Sequence, residues 1–217
     1  MEILDIPGSE PGAWRKPEEI LENGYQISIG DAISEGFDIF KEHVGGFVGY
    51  TVVMIIISGV ASYISTRIPF VQLLVGGPLA AGFFVMAQQV KTNGDTDFEL
   101  FFKGFEKFLP LFLYTLVSTI FIVIGAFLLL IPGIYLGVAY SLGVPFVLFY
   151  KLDFWDAMEF CRKIVTKEWW SFLGLVIVLA FINLGGILAF GIGVLFTIPI
   201  SYCAMYAAFR QVAASRN

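Results

Sequence analysis

Few residues of this 217-residue chain could perform acid–base, nucleophilic or metal chemistry. The one histidine is His43, and a single imidazole cannot supply the histidine-ligated site of an iron oxygenase. The two cysteines, Cys161 and Cys203, match no metal-binding or redox spacing. No glycine-rich phosphate loop, metalloprotease motif or nucleophile elbow occurs. We therefore expect no enzyme activity, no catalytic residue, no metal site and no cofactor.

Ionisable side chains are also missing from the long apolar stretches, where ion-coupled transporters place their buried charges. Transport of a charged solute is therefore disfavoured. The uncharged polar side chains in these stretches have two interpretations, which are hydrogen bonds between helices and the lining of a neutral or amphipathic ligand site. The candidates for ligand lining are Asn183, Tyr140, Tyr202, Ser201 and Gln72.

The composition determines the solvent that surrounds this protein. Hydrophobic residues make up 58% of the chain and charged residues only 14%, against about 25% charged in ordinary soluble domains. Too few polar residues are present to cover a water-exposed surface, so membrane lipids are the expected partners. The net charge of −5 argues against nucleic acid, which proteins bind through concentrated Lys and Arg.

Charged residues delimit four uncharged stretches, at 44–66, 68–90, 108–150 and 169–209. One helix crosses the hydrocarbon core in about 20 residues, so each of the two longer stretches is expected to hold two helices. Very tilted single helices or re-entrant segments are the alternative, but a helix of about 40 residues would be about 60 Å long, twice the hydrocarbon thickness. The predicted spans, which pair into three hairpins, are 44–65, 69–90, 109–131, 133–150, 169–187 and 190–209.

The basic residues predict the orientation of these spans. Twelve of the 13 Lys and Arg residues fall on one side of this topology, and only Arg67 falls on the other. Loops rich in Lys and Arg face the cytoplasm, so both termini are expected there. Residues 1–24 form an acidic, partly disordered N-terminal tail, residues 25–212 a single membrane domain, and residues 213–217 a C-terminal tail.

Each predicted hairpin follows a short segment with apolar residues at helical spacing and charges on the opposite face, which predicts a cytoplasmic amphipathic helix. These segments open at Ser28, Thr96 and Asp153, each with an acidic residue three positions later, as in a capping box. The chain thus reads as an all-α fold with three possible repeats, at about 28–91, 96–151 and 153–212. Such repeats would be parallel, and similarity between unrelated hairpins is the alternative.

Four segments together resemble a known family. They are ISIGDAISEGFDIFKEHVGGF (Ile27 to Phe47), LLLIPGIYLGVAYSLGVPFVL (Leu128 to Leu148), DFWDAMEFCRKIVTKEWWSFLGL (Asp153 to Leu175) and IPISYCAMYAAFRQV (Ile198 to Val212). The chain resembles poorly characterised bacterial inner-membrane proteins related to the membrane domain of some glycerophosphodiester phosphodiesterases, over about residues 25–212. The resemblance implies six helices in a bacterial plasma membrane. It does not imply the diesterase activity, which belongs to a separate soluble domain.

Two functional hypotheses follow from the sequence. In the first, the protein binds or moves a lipid or another amphiphile, which requires a cavity between the helices. In the second, it is a non-catalytic scaffold or regulator that recruits an unidentified protein partner, and removal of residues 1–24 would abolish that recruitment. The oligomeric state is left open by the sequence.

Overall fold

The computed structural model describes residues 14–67, 71–93, 97–189 and 191–214, which form helices and no strands. Residues 1–13 and 215–217, which make up most of the two predicted tails, lie outside these ranges. Pro69 and Thr96 lie outside them as well. The helices are α1 (Pro17–Asn23), α2 (Ile29–Glu42), α3 (Val44–Ser65), α4 (Val71–Asn93), a 3-10 helix (Phe98–Lys107), α5 (Phe108–Leu128), α6 (Leu130–Ala139), α7 (Gly143–Phe149), α8 (Phe154–Lys167), α9 (Trp169–Leu188) and α10 (Val194–Ala213).

Five helical segments of the described chain are long and apolar enough to cross a membrane. The prediction of an all-helical membrane protein is therefore confirmed. The sixth predicted span corresponds to α10, which has 20 residues but is not among the five, and it carries Arg210 in its last turn. The five segments are Val44–Ser65, Val71–Thr92, Phe98–Leu128, Leu130–Phe149 and Trp169–Leu188.

Helix α4 lies at the centre of the molecule, in contact with α2, α3, α5, α7, α10 and the 3-10 helix. Of its most apolar 18 residues 61% are buried, against 22% for α3 and for α9. Large apolar side chains on the outer helices, such as Ile56, Val123 and Phe181, are exposed instead. Because exposed apolar surface of this extent is stable only in contact with lipid, α3, α5 and α9 form the lipid-facing wall around α4.

Helix α2 packs one face against α10 and leaves the other exposed. The two backbones approach so closely at Gly36 that a Cβ there would lie 2.4 Å from the Ala204 nitrogen. Beside this contact, the Glu35 carboxylate forms ion pairs with Arg210 and, at 3.4 Å, with Lys91. The middle of α2 is therefore held against α10 by close packing and to the C-terminal ends of α4 and α10 by charge.

The structure confirms one of the predicted helix N-caps and contradicts another. The Ser28 hydroxyl accepts a hydrogen bond from the Asp31 backbone nitrogen at 3.3 Å, so the cap predicted for α2 is confirmed. The Asp153 side chain makes no cap hydrogen bond to α8, so the cap predicted there is wrong. The segment between them forms a 3-10 helix, in which Gly104 packs directly on α4 near the Pro78 carbonyl.

The fourth predicted span, 133–150, is not one continuous helix. It is divided by a turn at residues 140–142 into α6 and α7. Pro145 lies in the first turn of α7 and has no N–H, so it cannot donate the helical hydrogen bond to the Ser141 carbonyl. A continuous helix through this position would lose that bond, and the chain turns instead.

Side chains from neighbouring helices satisfy the backbone at this turn. The Tyr114 hydroxyl of α5 donates to the Tyr140 carbonyl at 2.6 Å, and the Cys161 thiol of α8 donates to the Ala139 carbonyl at 3.1 Å. Gly143 is required beside them, because a Cβ there would lie 1.8 Å from the Tyr114 ring. An interrupted helix inside a membrane protein is stable only where its freed backbone groups are paired in this way.

The described part of the predicted N-terminal tail packs on the bundle. Ile20 of α1 is fully buried, and the Trp14 ring lies between Phe149 and Phe209. The Arg15 backbone nitrogen donates to the Ala213 carbonyl at 2.8 Å. The Tyr150 hydroxyl donates to the Arg15 carbonyl at 2.8 Å, and burial raises the pKa of that hydroxyl. Residues 14–23 therefore join the end of α7 to the end of α10.

Candidate ligand-binding clefts

The structure places the five predicted ligand-lining residues in four different locations. Asn183 and Ser201 face each other between α9 and α10. Tyr202 lies inside the bundle, where its ring stacks on Phe83 with centroids 4.6 Å apart. Tyr140 lies at the turn between α6 and α7. Gln72 is exposed in the first turn of α4, where its backbone nitrogen donates to the Ser65 hydroxyl at 3.1 Å.

The Asn183–Ser201 pair links two helices. The Asn183 side-chain amide donates to the Leu179 carbonyl at 2.8 Å and to the Ser201 hydroxyl at 2.7 Å. That hydroxyl donates in turn to the Thr197 carbonyl at 2.8 Å. Gly186 allows α9 to approach α10 here, since a Cβ would lie 2.5 Å from the Thr197 hydroxyl. The Asn183 side-chain nitrogen and the Ser201 hydroxyl match the hydrogen-bonding interpretation, whereas the Asn183 side-chain oxygen and the Thr197 hydroxyl are buried without a partner among the described residues.

Two clefts in the molecule have the chemistry of ligand sites. The first, which we name the surface cleft, has a volume of about 390 Å³ and lies between α5, α6 and α8. The hydrophobic helices α5 and α6 supply an apolar wall, and α8 supplies the polar edge. The lining residues are Phe121, Leu136, Tyr140, Trp155, Met158, Glu159 and Arg162.

The polar edge of the surface cleft carries one acidic and one basic side chain, Glu159 and Arg162. Glu159 forms an ion pair with Lys163 at 2.6 Å, and the hydrogen bond from Lys163 lowers the pKa of that carboxyl. Glu159 is therefore paired more strongly with Lys163, one helical turn along α8, than with Arg162, whose charge also lowers the pKa of this carboxyl. Arg162 forms no ion pair with any carboxylate in the described ranges of the chain. Its guanidinium stands at the cleft as a cation able to bind an anionic group.

The second cleft, which we name the interior cleft, has a volume of about 260 Å³. It lies where α4, α5, α7 and α10 meet, close to the middle of the three long helices. No acidic or basic side chain lines it. The lining residues are Gly76, Gly77, Ala80, Phe84, Tyr114, Thr115, Ser118, Ser141, Val144, Tyr202 and Met205.

Most hydroxyl groups of the interior cleft already donate to the protein backbone. Thr115 donates to the Leu111 carbonyl at 2.8 Å, and Ser118 donates to the Tyr114 carbonyl at 2.6 Å. Such bonds to the preceding turn are the usual arrangement for Ser and Thr inside apolar helices. The Ser141 hydroxyl differs, because it is buried and has no hydrogen-bond partner within the described residues.

Sequence reasoning selected Tyr140 and Tyr202, one residue from each cleft, but missed the rest of both linings. Trp155, Glu159 and Arg162 follow one another at helical spacing, so their shared face of α8 was detectable. Their proximity to Phe121 of α5 depends on tertiary packing, for which the sequence holds no signal. The described residues also contain no group of three His, Cys, Asp or Glu side chains placed to hold a metal ion.

No protein-family model, curated protein or solved structure matches this chain. The resemblance drawn from the sequence segments therefore stays a prediction, and the two clefts are interpreted from their own chemistry.

Proposed function

We propose that the protein binds an anionic amphiphile, of the chemistry of a phospholipid, in the surface cleft. The observation that carries this proposal is the position of Arg162 beside the apolar wall formed by Phe121 and Leu136. An amphiphile needs a cationic partner for its headgroup and an apolar surface for its chain. The two lie next to each other in this cleft.

The topology that we propose has six spans, with α10 as the sixth and both termini in the cytoplasm of a bacterium. Helix α10 has 20 residues, or about 30 Å of helix, which matches the thickness of the hydrocarbon core. Consecutive long helices contact each other (α3 with α4, α5 with α6, α9 with α10), which supports three hairpins. The segments before them, α2, the 3-10 helix and α8, support the repeated unit.

In this orientation α8 lies at the level of the inner-leaflet headgroups. A phosphate accepts two parallel hydrogen bonds from one guanidinium, so Arg162 would bind the headgroup and Tyr140 would offer a hydroxyl beside it. The acyl chain would follow Phe121 and Leu136 towards the lipid-facing surface of α5 and α6. Trp155, which is 53% exposed, would lie at the interface, where tryptophan is enriched.

We propose that the protein binds this amphiphile without acting on it as an enzyme. The scaffold hypothesis, which rests on the acidic tail and the cytoplasmic amphipathic faces, becomes one outcome of the test. The test identifies lipids by mass spectrometry on gently purified protein and compares them with the membrane of origin. The variant is Arg162→Gln, and the matched control is Lys107→Gln, a cation that does not line the cleft and forms no ion pair among the described residues.

We expect anionic phospholipid to be enriched on the wild-type protein and on Lys107→Gln. Enrichment should fall about tenfold for Arg162→Gln, because a hydrogen bond to a charged group contributes about 1.5–3 kcal/mol. Equal loss in both variants would mean that surface charge alone attracts the lipid, and the site would be rejected. Lipids in bulk proportion on the wild-type protein would also reject it and would favour the scaffold hypothesis.

A further inference from the structure

The interior cleft is separated from the surface cleft by the turn between α6 and α7. Tyr140 lines the surface cleft, and the next residue, Ser141, lines the interior cleft. A turn that interrupts a helix near the middle of a membrane bundle exposes polar groups that a continuous helix would conceal, and membrane proteins use such places to bind solutes.

The interior cleft contains a buried polar group that is available to a ligand. The Ser141 hydroxyl is buried without a hydrogen-bond partner in the described structure, while those of Tyr114, Thr115 and Ser118 donate to backbone carbonyls. A buried hydroxyl that lacks a partner is unfavourable, and a ligand that pairs with it removes that cost. The other atoms of a ligand would meet the apolar side chain of Phe84, which is suited to a hydrocarbon body.

Two adjacent glycines of α4, Gly76 and Gly77, line this cleft. A Cβ on Gly76 would meet no atom within 4 Å, so the space beside it is open. A Cβ on Gly77 would lie 2.5 Å from the Thr115 hydroxyl, so Gly77 serves the packing of α4 on α5. Of the two adjacent glycines, Gly76 therefore faces the ligand space, and Gly77 faces the neighbouring helix.

The size and charge of the interior cleft restrict its ligand. A cavity of roughly 150 Å³ suffices for benzene, so about 260 Å³ accepts one aromatic ring or short alkyl group with a polar substituent. An ion is disfavoured, because no acidic or basic side chain lines the cleft and an unpaired charge in such surroundings is costly.

We propose that the interior cleft is a second binding site, specific for a small uncharged molecule that carries one hydroxyl or carbonyl group on an apolar body. Ser141 pairs with the polar group, and Gly76 provides the space for the body. This site is independent of phospholipid binding at Arg162.

The test measures binding of 4-fluorobenzyl alcohol to the purified full-length protein in detergent by fluorine NMR, with protein-free micelles as the baseline. Three variants separate the possible effects. Gly76→Leu fills the cleft, and Ser141→Ala removes its unpaired hydroxyl. Gly59→Leu is the matched control, since Gly59 lies on the lipid-facing surface of α3 and a Cβ there also meets nothing within 4 Å.

We expect saturable binding to the wild-type protein and to Gly59→Leu, and at least tenfold weaker binding to Gly76→Leu. Ser141→Ala should weaken binding of the alcohol about threefold to tenfold, the effect of one net hydrogen bond, and should leave 4-fluorotoluene unchanged. Equal binding to Gly76→Leu and wild type, or only non-saturable partition as in empty micelles, would overturn the proposal. Arg162→Gln should bind the alcohol normally, so failure of either site is seen separately.

Discussion

Cys161 shows how one side chain can stabilise an irregular part of the backbone. It is fully buried, its thiol donates to the Ala139 carbonyl at 3.1 Å, and burial raises its pKa to about 12. At neutral pH the group is therefore a protonated thiol. The thiolate, not the thiol, is the nucleophile, so Cys161 is expected to be chemically inert in the folded protein. Cys203 of α10 is also fully buried.

We predict that neither native cysteine reacts with a maleimide at pH 7–8 while the protein is folded. Both should react after denaturation in SDS, which can be followed as a mass increase of two labels. An added cysteine at the exposed position Glu42 serves as the reactive control. Because the pKa of Cys161 is raised, its labelling should not increase between pH 7 and 9 while the protein stays folded. Rapid labelling of the folded wild-type protein would contradict the buried placement.

At the scale of elements, the docking of α2 on α10 depends on a glycine. The Gly36→Ala variant would place a Cβ 2.4 Å from the Ala204 nitrogen and 2.5 Å from its Cα. These are backbone atoms of a packed helix, so the helices must separate, and overpacking of this kind costs about 1–3 kcal/mol. We expect a lower unfolding temperature by several degrees, measured in detergent by circular dichroism.

The control for this prediction is Gly30→Ala on the same helix. A Cβ at Gly30 meets nothing within 4 Å, and alanine is the better helix former, so stability should stay unchanged or rise by up to about 1 kcal/mol. The two substitutions are chemically identical, but Gly36→Ala should lower the free energy of unfolding and Gly30→Ala should not. A similar decrease in both variants would show that the close contact with Ala204 is not the cause.

The long helices could be predicted from the sequence because charged residues bound them. The first span was expected at 44–65, which are the bounds of α3, and the fifth at 169–187, against Trp169–Leu188 for α9. The turn at residues 140–142 could not be predicted in this way, because no charge marks it. Its stability depends on Tyr114 and Cys161, which are distant in the chain.

The candidate sites were harder to predict than the helices, because they also depend on contacts between residues that are distant in the chain. Polarity inside an apolar stretch identified Tyr140 and Tyr202, but it also identified Asn183, whose amide is bonded to Ser201. A local pattern cannot distinguish a polar group that pairs with a neighbouring helix from one that faces a cleft. Arg162 was counted only among the cytoplasmic basic residues, because its position beside α5 and α6 arises from packing.

At the scale of the whole molecule, the burial pattern explains how helices of similar composition take different places. Residues 81–90 of α4 are all buried, and this segment contains Gln88 and Gln89. Polar amides are costly in contact with lipid, so the helix that carries them occupies the centre. The Tyr206 hydroxyl donates to the Gln88 side chain there. The helices α3 and α9, of whose most apolar residues only 22% are buried, lie on the outside of the molecule.

The number of spans can be decided by the sidedness of introduced cysteines. The wild-type background is suitable, because Cys161 and Cys203 are expected to stay unlabelled. If α10 crosses the membrane, Ala189→Cys before it and Ala214→Cys after it must lie on opposite sides. In intact cells an impermeant maleimide should label Ala189→Cys, and Thr66→Cys between α3 and α4, from outside. Ala214→Cys should react only after permeabilisation.

The other outcomes of this experiment are equally informative, because they separate span number from orientation. Labelling of Ala189→Cys and Ala214→Cys from one side would leave α10 within a single leaflet and give an odd number of spans. Reversed labelling at every position would keep six spans but would overturn the orientation inferred from Lys and Arg. In that case Arg162 would face the outer leaflet, and the phospholipid bound at the surface cleft would come from that side of the membrane. Labelling of the same three introduced cysteines therefore establishes both the number of spans and the side of the membrane on which Arg162 lies.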